Sequence, residues 1–180
     1  MDRWDRRVVV GVDGSVGSLA ALRRAVREAR LRDAPLLSVL AWVPPGGNGT
    51  GGRRVPCPPE LLAEWRKDAR RRLRAAWEQA VGGVPADLVG ELLTLRGPAG
   101  AVLVDLAGQP DVLLVVGAGR PAPWRVLGAG SVTRYCVANA RCGVLTVPRP
   151  ATLSRAAQRR LVRELSASAS DSAVFGDPRP

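Results

Sequence analysis

Three consecutive valines near the start of the chain restrict its fold more than any other feature. Residues 7–12 read Arg-Val-Val-Val-Gly-Val, a β-branched run with no polar residue at alternate positions. A strand of this kind is apolar on both faces, so both faces must be covered. That is the pattern of a parallel sheet in an α/β domain, not of a half-solvated antiparallel sheet. Residues 36–43 repeat the pattern, and further strands are expected at 86–95, 111–116 and 143–148.

The segments between the strands read as helices. Gly11, Asp13, Gly14 and Ser15 make a turn after the first strand, and Ser15 or Ser18 can cap the helix that follows. Leu19, Leu22, Val26 and Ala29 recur at helical spacing, while Arg23, Arg24, Arg27 and Arg30 fill the opposite positions to about Arg32. Pro35 ends that helix. A second helix is expected over 60–81, with Leu61, Leu62, Trp65, Ala69, Leu73, Ala76 and Ala80 on one face. Arg66, Arg70, Arg71, Arg72 and Arg74 mostly form its solvated face, and Gly82-Gly83 suits its C-terminus. Helices over 97–107, opened by Pro98, and over 131–140 complete the series. Regular alternation of strand and helix implies an open parallel sheet of five strands, with right-handed crossovers and helices on both faces. The domain is expected to span 1–149, interrupted by a Gly- and Pro-rich loop at 44–59. The tail, 150–180, reads as a short helix at 151–165 followed by a disordered Ser-, Ala- and Pro-rich end.

Composition removes several kinds of chemistry. The chain has no His, so Ser-His-Asp and Cys-His nucleophile systems are excluded. Cys57, Cys136 and Cys142 lack C-x-x-C spacing, which argues against a zinc site; Cys136 and Cys142 read as small buried apolar residues. No metal-ligating set is assigned. The net charge is +11, almost all of the basic residues being Arg, which attracts polyanions. Those Arg residues are dispersed over helix faces, which argues against a nucleic-acid footprint. No apolar run approaches a membrane span, and residues 1–7 do not resemble a signal peptide, so a cytoplasmic protein is expected.

Two loops carry the candidate chemistry. One is Gly11-Val12-Asp13-Gly14-Ser15; the other runs from Gly117-Ala118-Gly119-Arg120 to Gly128-Ala129-Gly130-Ser131-Val132-Thr133. Both follow buried strands, and open α/β sheets bind ligands beyond the carboxyl ends of their strands. Glycines let backbone N–H groups approach phosphate, and a helix opening at Gly130-Ser131 would add free donors. The hydroxyls of Ser131 and Thr133 can donate as well, and Asp13 can accept from ribose hydroxyls. Neither loop is a Walker A motif, and no G-x-G-x-x-G follows the first strand. Trp124 and Arg125 read as an exposed pair in the second loop, with a lid as the alternative.

With these residues in view, the chain resembles the universal stress proteins. VVVGVDGS (8–15) is similar to the family's opening strand and turn, and RGPAGAVLVDLA (96–107) to its Gly-x-Pro-Ala helix. DVLLVVG (111–117) is similar to its fourth strand, and LGAGSVTRYCVANARCGVLTVP (127–148) to its Gly-Ser-Val-Thr helix and last strand. The resemblance implies a Rossmann-like, adenine nucleotide alpha hydrolase-like sheet of order 3-2-1-4-5. It implies an ATP-binding regulatory module of the stress response with little or no catalysis, the ATP taken with or without magnesium. Carried over position by position, the ligand would meet Gly11, Val12 and Asp13, with Asp13 at the ribose, and the backbone of Ala41 at adenine. Its phosphates would meet Gly117, Gly119, Arg120, Gly130, Ser131, Val132 and Thr133. The family's loop has Gly, two residues, Gly, nine residues, then Gly-Ser or Gly-Thr; here Arg120 stands where the middle Gly belongs. Arg120 either reaches the phosphates as a charged fork or fills the site. The second alternative implies a dimeric protein-interaction module that binds no nucleotide. The family likeness also implies a homodimer paired through the last strand, and protein partners that the sequence does not name.

Overall fold

The computed structural model describes residues 3–44, 58–118 and 132–150. The chain divides into two compact units, Met1–Arg149 and Pro150–Pro180. The expected helix at 151–165, the end of the tail and most of the 44–59 loop lie outside the described residues.

A short 3-10 turn, Arg3–Arg6, precedes β1 (Val8–Gly11). Then follow α1 (Val16–Leu31), β2 (Leu36–Trp42), α2 (Pro59–Val81), β3 (Gly90–Arg96), α3 (Ala99–Leu106), β4 (Leu113–Gly117), α4 (Val132–Asn139) and β5 (Gly143–Val147). The strands form one sheet of order β3-β2-β1-β4-β5, and every pair is parallel. The alternation inferred from the sequence therefore holds, as does the order that the resemblance implied. Gly90, Leu36, Val8, Leu113 and Gly143 lie in one row across the sheet.

Each strand supplies both faces, because successive side chains point to opposite sides. Val8, Val10 and Val12 of the first strand and its turn meet Ala21, Leu22 and Ala25 of α1, and Leu73, Ala76 and Trp77 of α2. Val9, Leu37, Val39 and Leu114 meet Leu103 of α3 and Cys136 of α4 on the other side. Val8, Val9 and Val10 are all fully buried, as an unbroken apolar run requires. Cys136 is buried and Cys142 half-buried in this second core. Burial pushes both thiols up, which keeps them protonated and inert.

β3 departs most from its expected bounds, starting at Gly90 rather than at residue 86. The Leu88 N–H donates to the Pro85 carbonyl at 3.2 Å, closing a turn across these residues. Asp87 is held outside the sheet by Arg30 at 2.9 Å. The Leu36 N–H meets the Val89 carbonyl at 2.9 Å, so pairing with β2 begins only there. At Gly90 a Cβ would stand 2.1 Å from the Leu36 carbonyl oxygen, so this first paired position admits no side chain.

The helix ends match their local chemistry. Ser15 caps α1, its hydroxyl accepting from the Ser18 N–H. α2 ends on Gly82 at φ 76°, the left-handed cap that favours glycine. Arg23 of α1 then donates from Nε to the Ala80 carbonyl at 2.7 Å and from Nη2 to Gln79 at 3.1 Å.

Candidate nucleotide site at the switch point of the sheet

The strand order reverses between β1 and β4, since the chain leaves β1 towards β2 and returns from β3 to β4. A crevice outside the carboxyl ends of two such strands is the usual ligand position in open α/β sheets. Continuing the register past the last paired residues sets Asp13 level with Ala41 and Ala118. The N–H of Val12 still donates to Val39 at 2.8 Å, and that of Ala118 to Val147 at 2.7 Å. The regular ladder thus reaches the edge of the crevice on both sides.

Asp13 is exposed there, and its backbone and carboxylate are both fixed. Its Oδ1 accepts from the Ser15 N–H at 2.8 Å, and its own N–H donates to Ser18 Oγ at 3.3 Å. Ser18 Oγ donates in turn to the Ser15 carbonyl at 3.0 Å. Gly14, at φ 83°, supplies the left-handed residue that this turn requires, with open space where a Cβ would be. Partial burial pushes the Asp13 carboxyl up, but hydrogen bonding, that from Ser15 foremost, outweighs it. The net effect lies below the ordinary value of 3.8. Asp13 is therefore an anion at neutral pH, and a carboxylate has more acceptor sites than the one Oδ1 contact uses.

Gly117 closes β4 under strong constraint. A Cβ on it would lie 2.6 Å from both the carbonyl carbon and oxygen of Gly17, and 3.0 Å from the Ser18 nitrogen. A Cβ on Gly17 would in turn lie 3.2 Å from the Ala118 carbonyl oxygen. Two glycines thus let the end of β4 cross the first turn of α1 backbone to backbone. Thr133, in the first turn of α4, donates from Oγ1 to the Gly117 carbonyl at 2.8 Å, pinning that helix to the same strand end. Val132, beside it, is 40% exposed. Gly11 faces α3, where a Cβ would meet Leu103 Cδ1 at 2.7 Å. Val12 is buried and Ala41 half-buried.

Of the residues singled out in the sequence, Gly11, Val12, Asp13, Ala41, Gly117, Val132 and Thr133 thus stand along one carboxyl edge of the sheet. Gly119, Arg120, Gly130 and Ser131, with Trp124 and Arg125, lie outside the described residues. Two residues at this edge escaped the sequence reading. Gly17 was hidden inside an ordinary helical pattern, where only its place in the first turn gave a signal. Arg72 belongs by spacing to the solvated face of α2, yet its Nη2 donates to the Asp13 carbonyl at 3.1 Å. It sits one residue before the buried Leu73, at the margin of the apolar stripe.

Comparison with known proteins decides the family. The model for the universal stress protein family matches residues 6–148. This chain belongs to that family. Among solved structures, the universal stress protein UspA from Lactobacillus plantarum is 26% identical, with 78% of this chain and 96% of that one covered at a TM-score of 0.55. A universal stress protein family member from Burkholderia pseudomallei is 22% identical, with 82% and 99% covered at a TM-score of 0.54, a likeness of fold. A universal stress protein solved in complex with cAMP is 26% identical over 81% and 98% of the two chains, at a TM-score of 0.48. No curated protein matches. Among the described residues, no helix is long and apolar enough to cross a membrane.

Proposed function

We propose that this universal stress protein domain is a regulatory module that binds ATP at the β1–β4 switch point and does little or no catalysis. One observation carries the reading. An ionised, exposed Asp13 with spare acceptor capacity stands level with Ala41 and the Gly117-Ala118 strand end, in the crevice where the sheet order reverses. The residues present fit a nucleotide on that ground. Asp13 would accept from the ribose hydroxyls, the backbone at Ala41 would face adenine, and the segment from Gly117 to Thr133 would hold the phosphates. Within that segment, Gly119, Gly130 and Ser131 would supply backbone donors, and Arg120 a charged fork.

Equilibrium dialysis with labelled ATP, with and without magnesium, tests the reading. Saturable retention at or below millimolar nucleotide is expected, and no retention at that concentration rejects it.

A second reading is a dimeric interaction module without nucleotide. One contact favours it: the Thr133 hydroxyl hydrogen is already committed to the Gly117 carbonyl, which removes one donor from the phosphate set. Under this reading the Arg120→Gly variant gains ATP binding that the parent chain lacks. Both readings are compatible with a homodimer through β5, which is an edge strand with an apolar sequence. Small-angle scattering at micromolar protein should then give twice the monomer mass.

A further inference from the structure

Arg72 is a cation at the described crevice that the family likeness does not assign; the Arg149 side chain passes the same edge, beside Gly17. It lies on α2, 59 residues from Asp13 in sequence, and its guanidinium is drawn to the carboxyl end of β1 by one hydrogen bond to the Asp13 carbonyl. A guanidinium has five N–H donors in a planar fork, and this contact uses one. Among the described residues no carboxylate forms an ion pair with Arg72. The acid one turn before it, Asp68, is engaged by Arg71 instead. The Asp13 carboxylate accepts from the Ser15 N–H, and it is the carbonyl of that residue, not its charge, that anchors the arginine. Arg72 is also exposed. An anchored, solvent-facing guanidinium with most of its donors unspent, placed beside the first turn of a helix, favours an anionic group.

We propose that Arg72 is a specificity-determining residue of this crevice, binding a phosphate oxygen of the nucleotide and so selecting nucleotides over nucleosides. This rests on the nucleotide reading given above. Anchoring on a backbone carbonyl fixes the fork in place before the ligand arrives, so little side-chain freedom is lost on binding. Lysine would keep the charge but lose the planar two-point geometry.

The test uses the full chain and compares ATP with adenosine by titration calorimetry, for the parent, Arg72→Gln and Arg72→Lys. The expected result is a fall in ATP affinity of about tenfold or more in Arg72→Gln, as for loss of a charge-assisted hydrogen bond. Adenosine affinity should change by less than about twofold, and Arg72→Lys should recover part of the loss. Equal loss of ATP and adenosine affinity would mean that Arg72 only braces the Asp13 turn, and overturns the proposal. An unchanged ATP-to-adenosine ratio overturns it as well, while leaving the nucleotide reading intact. A parent chain that binds neither compound removes both.

Discussion

Replacing Gly117 with alanine should damage the fold itself, not only the loop that begins there. The added Cβ would stand 2.6 Å from two backbone atoms of Gly17, whereas ordinary contact starts at 3.4 Å. The two segments must therefore separate by about 0.8 Å, the difference of those distances, a movement of backbone against backbone that no rotamer change can absorb. Retreat is hindered on both sides. Ala118 is bonded to Val147 of β5, and the Gly117 carbonyl is held by Thr133. Overpacking of this kind costs about 1–3 kcal/mol. For a domain of this size, a loss of about 2 kcal/mol lowers Tm by roughly 4–8 °C. Thermal melts followed by circular dichroism, with urea titration as a second measure, would record it. Gly14→Ala is the control, because it meets nothing within 4 Å and suffers only from its φ of +83°. Its cost should be about 1–2 kcal/mol, the left-handed penalty alone. A Gly117→Ala protein that melts within a degree of the parent would refute the close-approach argument. The same reasoning warns against treating Gly117 variants as clean probes of nucleotide binding.

Two further substitutions separate other effects. Ser38 is fully buried in β2, and its hydroxyl has no partner among the described residues. Ser38→Ala should therefore be neutral or stabilise by about 1 kcal/mol, read as a rise in the urea midpoint; a loss of 1 kcal/mol or more would show a hidden hydrogen bond. Asp13 has a folded-state pKa below its unfolded one, so the unfolded chain binds the extra proton first. Its contribution is fully present above about 3.8 and is lost as pH falls through the lower folded value. Asp13→Asn keeps the acceptor for Ser15 but not the charge, so melts between pH 6 and pH 2 should fall less steeply than the parent's. Parallel curves for the two proteins would contradict this sign.

The central strands were legible because burial on both faces writes itself into sequence as an apolar run, unbroken in β1 and β4 and interrupted only by Ser38 in β2. β3 was legible only in part. It is an edge strand with mixed exposure, and its first residues are diverted into a turn by Pro85 and by the Arg30–Asp87 pair. The turn at Pro85 is local, but the Arg30–Asp87 pair leaves no trace in the segment, because Arg30 lies 57 residues away in α1. At the site, the turn at Asp13 could be placed from its glycine and serine neighbours. The meeting of Gly17 with Gly117, one hundred residues apart, is a property of the packed chain. So is Arg72, whose one-residue position on the helix stripe decides whether it faces water or the crevice.

The two bonds from Arg23 to the last carbonyls of α2 bear on how this gene can change. They fix the far end of α2, and the buried face from Ala69 to Ala80 fixes its second half. These contacts, all among the described residues, hold α2 against α1 and the sheet. Lengthening such a connection costs only about 0.6 kcal/mol per doubling. A longer β2–α2 junction is accordingly expected to leave the sheet standing, which thermal melts of insertion variants would check. That junction is also where an engineer could graft a reporter or a second domain.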